Sequence, residues 1–219
     1  MELNSLSERK WIGHSDTETL LEAIEQWGLK TTLNKTKGMF SIALWDKRNR
    51  NLYLARDRMG EKPLYYGWVD NQFVFASELK AIKKFPKFNN SIDRNALALF
   101  LRFNSIPSPY SIYEDIFKLE PGIIIQFNAD SKKIVKSTYW STEEEIIKSS
   151  SSAFSGNFED AVNQLELILS KAVSSQMESD VPLGAFLSGG VDSSLIVALM
   201  QSQSAKKINT FSIGFNNAD

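Results

Sequence analysis

Residues 185–200 read AFLSGGVDSSLIVALM, an apolar run that enters Ser188-Gly189-Gly190, passes Val191-Asp192-Ser193-Ser194 and leaves as an apolar run with helical spacing. A strand that feeds small residues and then a helix turns unpaired backbone N–H groups, backed by the positive end of the helix dipole, toward an anion. Gly189 and Gly190 permit close backbone approach and unusual dihedrals, and the hydroxyls of Ser188, Ser193 and Ser194 can donate to phosphate oxygens. Asp192 is the odd member, because a carboxylate repels phosphate. It fits either as an N-cap or first-turn acid, a role contributing roughly 1 kcal/mol, or as a ligand to a magnesium ion that neutralises the phosphates. The loop has neither the G-x-x-x-x-G-K-[ST] spacing nor the lysine of a Walker motif, which points away from simple γ-phosphate transfer.

Outward from this loop, PLGAFL reads as a buried strand and INTFSIGF as a second strand after the helix, an order that predicts a parallel α/β sheet. Ahead of them, FEDAVNQLELILSKAVSSQM is an amphipathic helix with Val162, Leu165, Leu169, Ala172 and Val173 on one face. Residues 141–157, STEEEIIKSSSSAFSGN, are serine-rich and polar and read as a linker.

Upstream the period changes to two. GMFSIALWD and NLYLARD flank KRNR, PLYYGWV and QFVFASE flank Asp70-Asn71, and GIIIQFN and KKIVKSTYW flank ADS, which predicts antiparallel strand pairs. SDTETLLEAIEQWG has capping-box spacing at Ser15 and Glu18, an apolar stripe of Leu20, Leu21, Ile24 and Trp27, and Gly28 to end it. IDRNALALFLRF returns to helical spacing, with Ile92 and Asp93 at its entry and Leu97, Phe100 and Leu101 on its apolar side. IPSPYSIYEDIFKLEPG, with three prolines, is expected to be mostly irregular. RDRMGEKPLYYG gathers Arg56, Asp57, Arg58, Glu61 and Lys62 around a glycine. Charges in a turn are usually solvated, so this stretch is read as a domain-shaping hairpin without a catalytic role, and Glu78 as structural.

Composition narrows the chemistry. The chain has 219 residues, 42% hydrophobic, with a net charge of -1, which argues against electrostatic nucleic-acid binding. No apolar stretch approaches the roughly 20 residues of a membrane span, and MELNSLSERKW lacks the pattern of a signal peptide, so a cytoplasmic location is expected. There is no cysteine, which excludes disulfides, thiolate metal sites and cysteine nucleophiles together. The single histidine, His14, beside a glycine, reads as a loop residue. There is no internal repeat.

SGGVDSS resembles the pyrophosphate loop of the N-type ATP pyrophosphatases. With its surroundings, SDVPLGAFLSGGVDSSLIVALM followed by TFSIGF, it resembles the glutamine-hydrolysing asparagine synthetases in particular. GHSDTETLLEAIEQWG, GMFSIALWD, LARDRMGEKPLYYG, FASELKAI and SIYEDIFKLEPG resemble the glutaminase half of the same enzymes, in the same order. The resemblance implies an α+β, Ntn-hydrolase-like glutamine amidotransferase domain of antiparallel sheets with helices over residues 1–140, its amino-terminal part missing. A linker at 141–157 and the start of an α/β parallel-sheet ATP-pyrophosphatase domain at 158–219 follow.

The resemblance also implies a reaction and a set of site residues. The parent enzyme forms asparagine, glutamate, AMP and pyrophosphate from aspartate, glutamine and ATP through an aspartyl-adenylate, with ATP and Mg2+ as cofactors. Its partners are small molecules, with no nucleic acid or membrane, and a homodimer is allowed. Asp16, in GHSD, matches the aspartate that pairs with the α-amino group of glutamine, and a first-turn acid favouring the helix by about 0.3–1 kcal/mol is the structural alternative. Leu187 and Ile213 match positions whose backbone meets the adenosine end of ATP, and both read equally as buried strand residues. Ser188, Gly189, Gly190, Asp192, Ser193 and Ser194 carry over as the pyrophosphate loop, with Asp192 as the magnesium ligand. The family's cysteine nucleophile, its upstream arginine and its Asn-Gly-Glu segment have no counterpart here, so no catalytic glutaminase residue carries over and the chain alone is expected to be inactive. The alternatives are a related amidotransferase or β-lactam-synthetase-like enzyme acting on another carboxylate, and a noncatalytic nucleotide-binding chain.

Overall fold

The computed structural model describes residues 11–13, 15–151, 153–179 and 181–214; His14 lies outside them. The chain divides into two compact units, residues 1–148 and 149–219.

In the first unit, helices α1 (Asp16–Trp27) and α2 (Leu29–Lys35) precede strands β1 (Ser41–Asp46), β2 (Asn51–Arg56), β3 (Tyr65–Val69) and β4 (Gln72–Ala76). A short helix α3 (Leu79–Ile82), helix α4 (Arg94–Phe103) and strands β5 (Ile116–Lys118), β6 (Ile123–Asn128) and β7 (Ile134–Thr138) complete it, and helix α5 (Thr142–Ser150) runs across the boundary between the units. The strands form two antiparallel sheets, ordered β1-β2-β6-β7 and β4-β3-β5. All three predicted hairpins form. Asp70 and Asn71 both adopt positive φ, 46° and 62°, in the tight turn between β3 and β4, a conformation their short polar side chains tolerate.

Alternation along the strands builds three apolar layers. Leu54, Leu64, Tyr66, Leu119 and Ile125 form the layer between the sheets, where Phe73 stacks on Phe127 at 4.3 Å and Trp68 meets Phe127 edge-on at 5.7 Å. The neighbours Ala55 and Ile124 point the other way and pack with Leu33 of α2 and with Tyr139. On the outer side of the second sheet, Val69, Val74 and Ile116 pack with Ile82 of α3. The unit is therefore layered helix, sheet, sheet, helix, and full burial of side chains such as Leu54 and Ile125 contributes roughly 1.5–3 kcal/mol each.

Several local expectations change. Ser15 caps α1 by accepting from Thr17 N–H at 3.2 Å. The Glu18 carboxylate reaches past the cap to Ile12 N–H at 3.1 Å and Gly13 N–H at 2.7 Å, because the incoming chain folds back over the first turn. Gly28 ends α1 as predicted, with φ 77° and its N–H on Ile24 O. Glu22 and Ala23, rather than the leucine stripe, are the buried residues of α1, and Leu21 is exposed. On α4, Asp93 caps the helix through Asn95 and Ala96 N–H. Ala96 is its buried residue, while Leu97, Phe100 and Leu101 are exposed, since only the small side chain lets the helix approach its neighbours closely. The segment 106–122, expected to be mostly irregular, contributes β5 because it pairs with β3 over three residues. Residues 142–150, within the expected linker, are helical with no buried side chain.

Tyr139 Oη donates to Arg56 O at 2.8 Å in the interior, and burial pushes its hydroxyl up from 10.0 to about 12. The folded state holds that proton after the unfolded chain has released it. The stabilisation is therefore complete below pH 10 and is lost as pH rises from 10 to about 12. Tyr139→Phe is expected to flatten this segment of the stability–pH curve relative to wild type. Equilibrium denaturation at stepped pH checks it, and parallel curves would refute the assignment.

In the second unit, α6 (Phe158–Gln176) starts with a full capping box, Asp160 N–H on Asn157 Oδ1 at 3.0 Å and Asn157 N–H on Asp160 Oδ2 at 3.1 Å. Strand β8 (Gly184–Phe186), helix α7 (Val191–Ser202) and strand β9 (Asn209–Phe211) follow, and β8 and β9 pair in parallel. Val173, Leu199 and Met200 form the small core. PLGAFL is not a buried strand here, and Phe186 is 80% exposed. Among the described residues the sheet has two strands, and all three residues of β9 are exposed. Val162 and Leu165 of α6 also lie exposed, while Leu169 and Val173 face the core.

Candidate functional site

The phosphate-loop residues come together where β8 passes into α7. Gly190 is the N-cap of α7 and, lacking a side chain, makes no side-chain cap. Gly189 takes φ 83°, in the left-handed region that glycine enters without a Cβ penalty. A Cβ there would meet nothing within 4 Å, so the backbone faces open space. The N–H groups of Gly189 and Gly190 carry no protein partner among the described residues.

The serine hydroxyls are turned onto the loop itself. Ser193 Oγ donates to Gly190 O at 3.1 Å and Ser194 Oγ to the same carbonyl at 2.8 Å. With its proton committed, Ser193 Oγ accepts from Ser188 N–H at 3.4 Å and from Ser188 Oγ at 3.0 Å. Ser188 and Ser194 are exposed and Ser193 half-buried, and hydroxyls can rotate to donate outward once an anion offers better acceptors.

Asp192 sits in the first turn of α7. It is not the N-cap, and its carboxylate has no hydrogen-bond or ion-pair partner among the described residues. The capping alternative therefore takes none of its oxygens. Among the described residues no group of three or more acidic, histidine or cysteine side chains gathers for a metal. A cation at Asp192 would need ligand phosphate oxygens as well, the way magnesium is usually held.

Leu187 and Ile213 lie just beyond the carboxyl ends of β8 and β9, the side on which parallel sheets bind ligands. Leu187 is half-buried, while Ile213 is 79% exposed and so is not the core residue its apolar character suggested. A cavity of about 330 Å³ in the second unit is lined by apolar side chains including Leu169, Val173, Met177 and Met200.

In the first unit, Asp16 opens α1 with its carboxylate exposed. Ser15 Oγ and Thr17 Oγ1 lie 3.4 and 3.5 Å from Asp16 Oδ1, and no described cation pairs with it. The RDRMGEKP turn is the better-built polar feature. Arg56 is 7% and Asp57 1% exposed, not solvated as charges in a turn usually are. Asp57 accepts from Met59, Glu61 and Lys62 N–H at 3.1, 2.9 and 2.9 Å. The Arg56 guanidinium donates to Lys62 O at 2.8 Å, to Leu119 O at 2.7 Å and to Gly60 O. Arg58 donates to Thr36 O and Asn34 O at 2.8 and 2.7 Å, closing the end of α2. These charges hold backbone in place. Their hint in the sequence was Arg-Asp at the end of an apolar strand, ahead of a glycine.

The profile of the family described as "Glutamine amidotransferase domain" matches residues 2–140, and that described as "Asparagine synthase" matches residues 164–219. The "Putative asparagine synthetase [glutamine-hydrolyzing] 2" of Methanocaldococcus jannaschii is 37% identical over 92% of this chain and 38% of that protein. "Asparagine synthetase [glutamine-hydrolyzing] 3" of Bacillus subtilis is 32% identical over 94% of this chain and 33% of that protein. The chain thus spans well under half the length of these relatives. The solved glutamine phosphoribosylpyrophosphate amidotransferase of B. subtilis, complexed with ADP and GMP, has TM-score 0.45 and 18% identity, covering 96% of this chain and 41% of that one. That likeness is too remote to carry an inference.

Proposed function

Because the chain belongs to the glutamine amidotransferase domain family and continues into an asparagine synthase segment, we propose that it supplies part of a glutamine-dependent asparagine synthetase. The whole reaction would turn aspartate, glutamine and ATP into asparagine, glutamate, AMP and pyrophosphate. The observation that carries this reading is the β8–SGGVDSS–α7 turn, with the unpartnered N–H groups of Gly189 and Gly190 at its rim. In this reading residues 1–140 are the glutaminase portion, 141–157 the connection and 158–219 the opening of the ATP-pyrophosphatase domain. The setting is cytoplasmic and the partners are small molecules. Among the described residues no helix is long and apolar enough to cross a membrane.

Each site residue has a task its position suits. Asp16 takes the α-amino group of glutamine, which an exposed carboxylate without a cation partner can do. The chain contains no cysteine, so its share of glutamine chemistry is binding and not thiol attack. Gly189 and Gly190 bind polyphosphate oxygens through backbone N–H, and the hydroxyls of Ser188, Ser193 and Ser194 rotate from Gly190 O and from one another to add donors. Leu187 and Ile213 meet the adenosine end. Asp192, together with phosphate oxygens, would hold Mg2+, which neutralises the charge of the bound polyphosphate.

Titrating the 219-residue chain with magnesium pyrophosphate and with magnesium ATP, while following backbone amide resonances, tests this assignment. Gly189 and Gly190 are expected to shift saturably with both ligands. Unmoved resonances at millimolar ligand would contradict it.

A further inference from the structure

The parallel ladder between β8 and β9 pairs residues 184–186 with 209–211 and extends one bond further, Leu187 N–H to Phe211 O at 2.8 Å. In a regular parallel ladder the next bond would run from Ile213 N–H to the Leu187 carbonyl. That bond is not made. Ser212 Oγ donates to Leu187 O instead, at 2.6 Å, and Ile213 N–H has no protein partner among the described residues. A side-chain hydroxyl has taken the acceptor that the backbone would have used.

We propose that Ser212 is a positioning residue that ends the β8–β9 ladder at the mouth of the loop. Its hydroxyl stands on the Leu187 carbonyl on the side from which the Ile213 N–H would have to approach, and so keeps the strands from zipping further. It thereby leaves Ile213 N–H as a free donor beside the carbonyl's second lone pair. A donor next to an acceptor at the carboxyl ends of two parallel strands matches a base edge that sets an acceptor nitrogen beside an amino group, as adenine does. Ser212 thus prepares the base end of the site whose phosphate end is the SGGVDSS loop. This inference rests on the nucleotide reading above.

The full chain, with Ser212→Ala and Ser212→Thr, separates the two. In wild type the Ile213 amide is expected to exchange rapidly with solvent. In Ser212→Ala it takes over the Leu187 carbonyl, and its exchange should slow by roughly tenfold, the scale of one net hydrogen bond. ATP binding should weaken by about five- to tenfold in Ser212→Ala, while pyrophosphate, which lacks a base, binds within about twofold of wild type. Ser212→Thr keeps the hydroxyl and should restore both readouts. Unchanged ATP affinity in Ser212→Ala, with pyrophosphate binding intact, overturns the positioning role alone. A wild-type chain that binds neither ligand overturns the nucleotide reading and the positioning role with it. An Ile213 amide already protected in wild type overturns the ladder-ending role directly.

Discussion

Asp57→Ala is expected to destabilise the first unit by about 3–5 kcal/mol, a large share of the 5–15 kcal/mol that ordinarily holds a domain folded. The carboxylate is 1% exposed and accepts three backbone N–H bonds across the RDRMGEKP turn. Alanine leaves those donors unpaired beside the buried guanidinium of Arg56, whose own bonds run to the same turn. Asp57→Asn keeps one carbonyl acceptor and should cost about half as much. Glu61→Ala, at an exposed position of the same turn, should stay within about 0.5 kcal/mol of wild type. All five tryptophans, Trp11, Trp27, Trp45, Trp68 and Trp140, lie in the first unit, so denaturation followed by tryptophan fluorescence reports that unit by itself. Coincident midpoints for Asp57→Ala and Glu61→Ala would refute the role given to the carboxylate.

The second large effect concerns Asp192. With residues 158–219 grafted into the corresponding stretch of the B. subtilis relative, Asp192→Ala is expected to lower ATP-dependent pyrophosphate release by about two to three orders of magnitude. Glutamine hydrolysis by the same protein should change less than about twofold if, as proposed, glutamine is bound by the portion that precedes residue 158. The carboxylate caps nothing and pairs with no described residue, so alanine there removes no structural contact. The fold of the graft should be untouched, and equal denaturation midpoints for the two grafts check that. Pyrophosphate release unaffected by the substitution would show that Asp192 is only a first-turn acid.

How far the sequence could be read depended on whether a feature is local. The three hairpins were legible because period-two alternation and the polar turns act within a few residues, as at Asp70 and Asn71. The strand–glycine–helix turn at residues 184–202 was legible for a similar reason, since a glycine such as Gly189, at φ 83°, marks a backbone conformation within the turn itself. Helix α2 was missed because LKTTLNK shows only Leu29 and Leu33 at helical spacing, and its stability comes from packing Leu33 against Ala55, Ile124 and Tyr139. Strand β5 was missed because its identity lies in the partner it finds, β3.

Caps and charges follow the same rule. Ser15 and Glu18 have the spacing of a capping box, yet the incoming chain draws the Glu18 carboxylate to Ile12 and Gly13. The box that closes fully is Asn157 with Asp160. Arg56 and Asp57 looked solvated because composition cannot show that a turn folds inward over its own charges. Ser212 was invisible for the same reason, as its role depends on the carbonyl opposite it, 25 residues away in sequence. Apolar character misled at Ile213 and Phe186, where the two-stranded sheet leaves side chains uncovered.

The most direct test of the central claim is the graft without the Asp192 substitution, assayed for pyrophosphate and asparagine in the presence of aspartate, ATP, magnesium and glutamine. If SGGVDSS is the pyrophosphate loop of an asparagine synthetase, the grafted enzyme releases pyrophosphate in step with asparagine and does so only when aspartate and ATP are both present. A folded graft that hydrolyses glutamine but releases no pyrophosphate would contradict it.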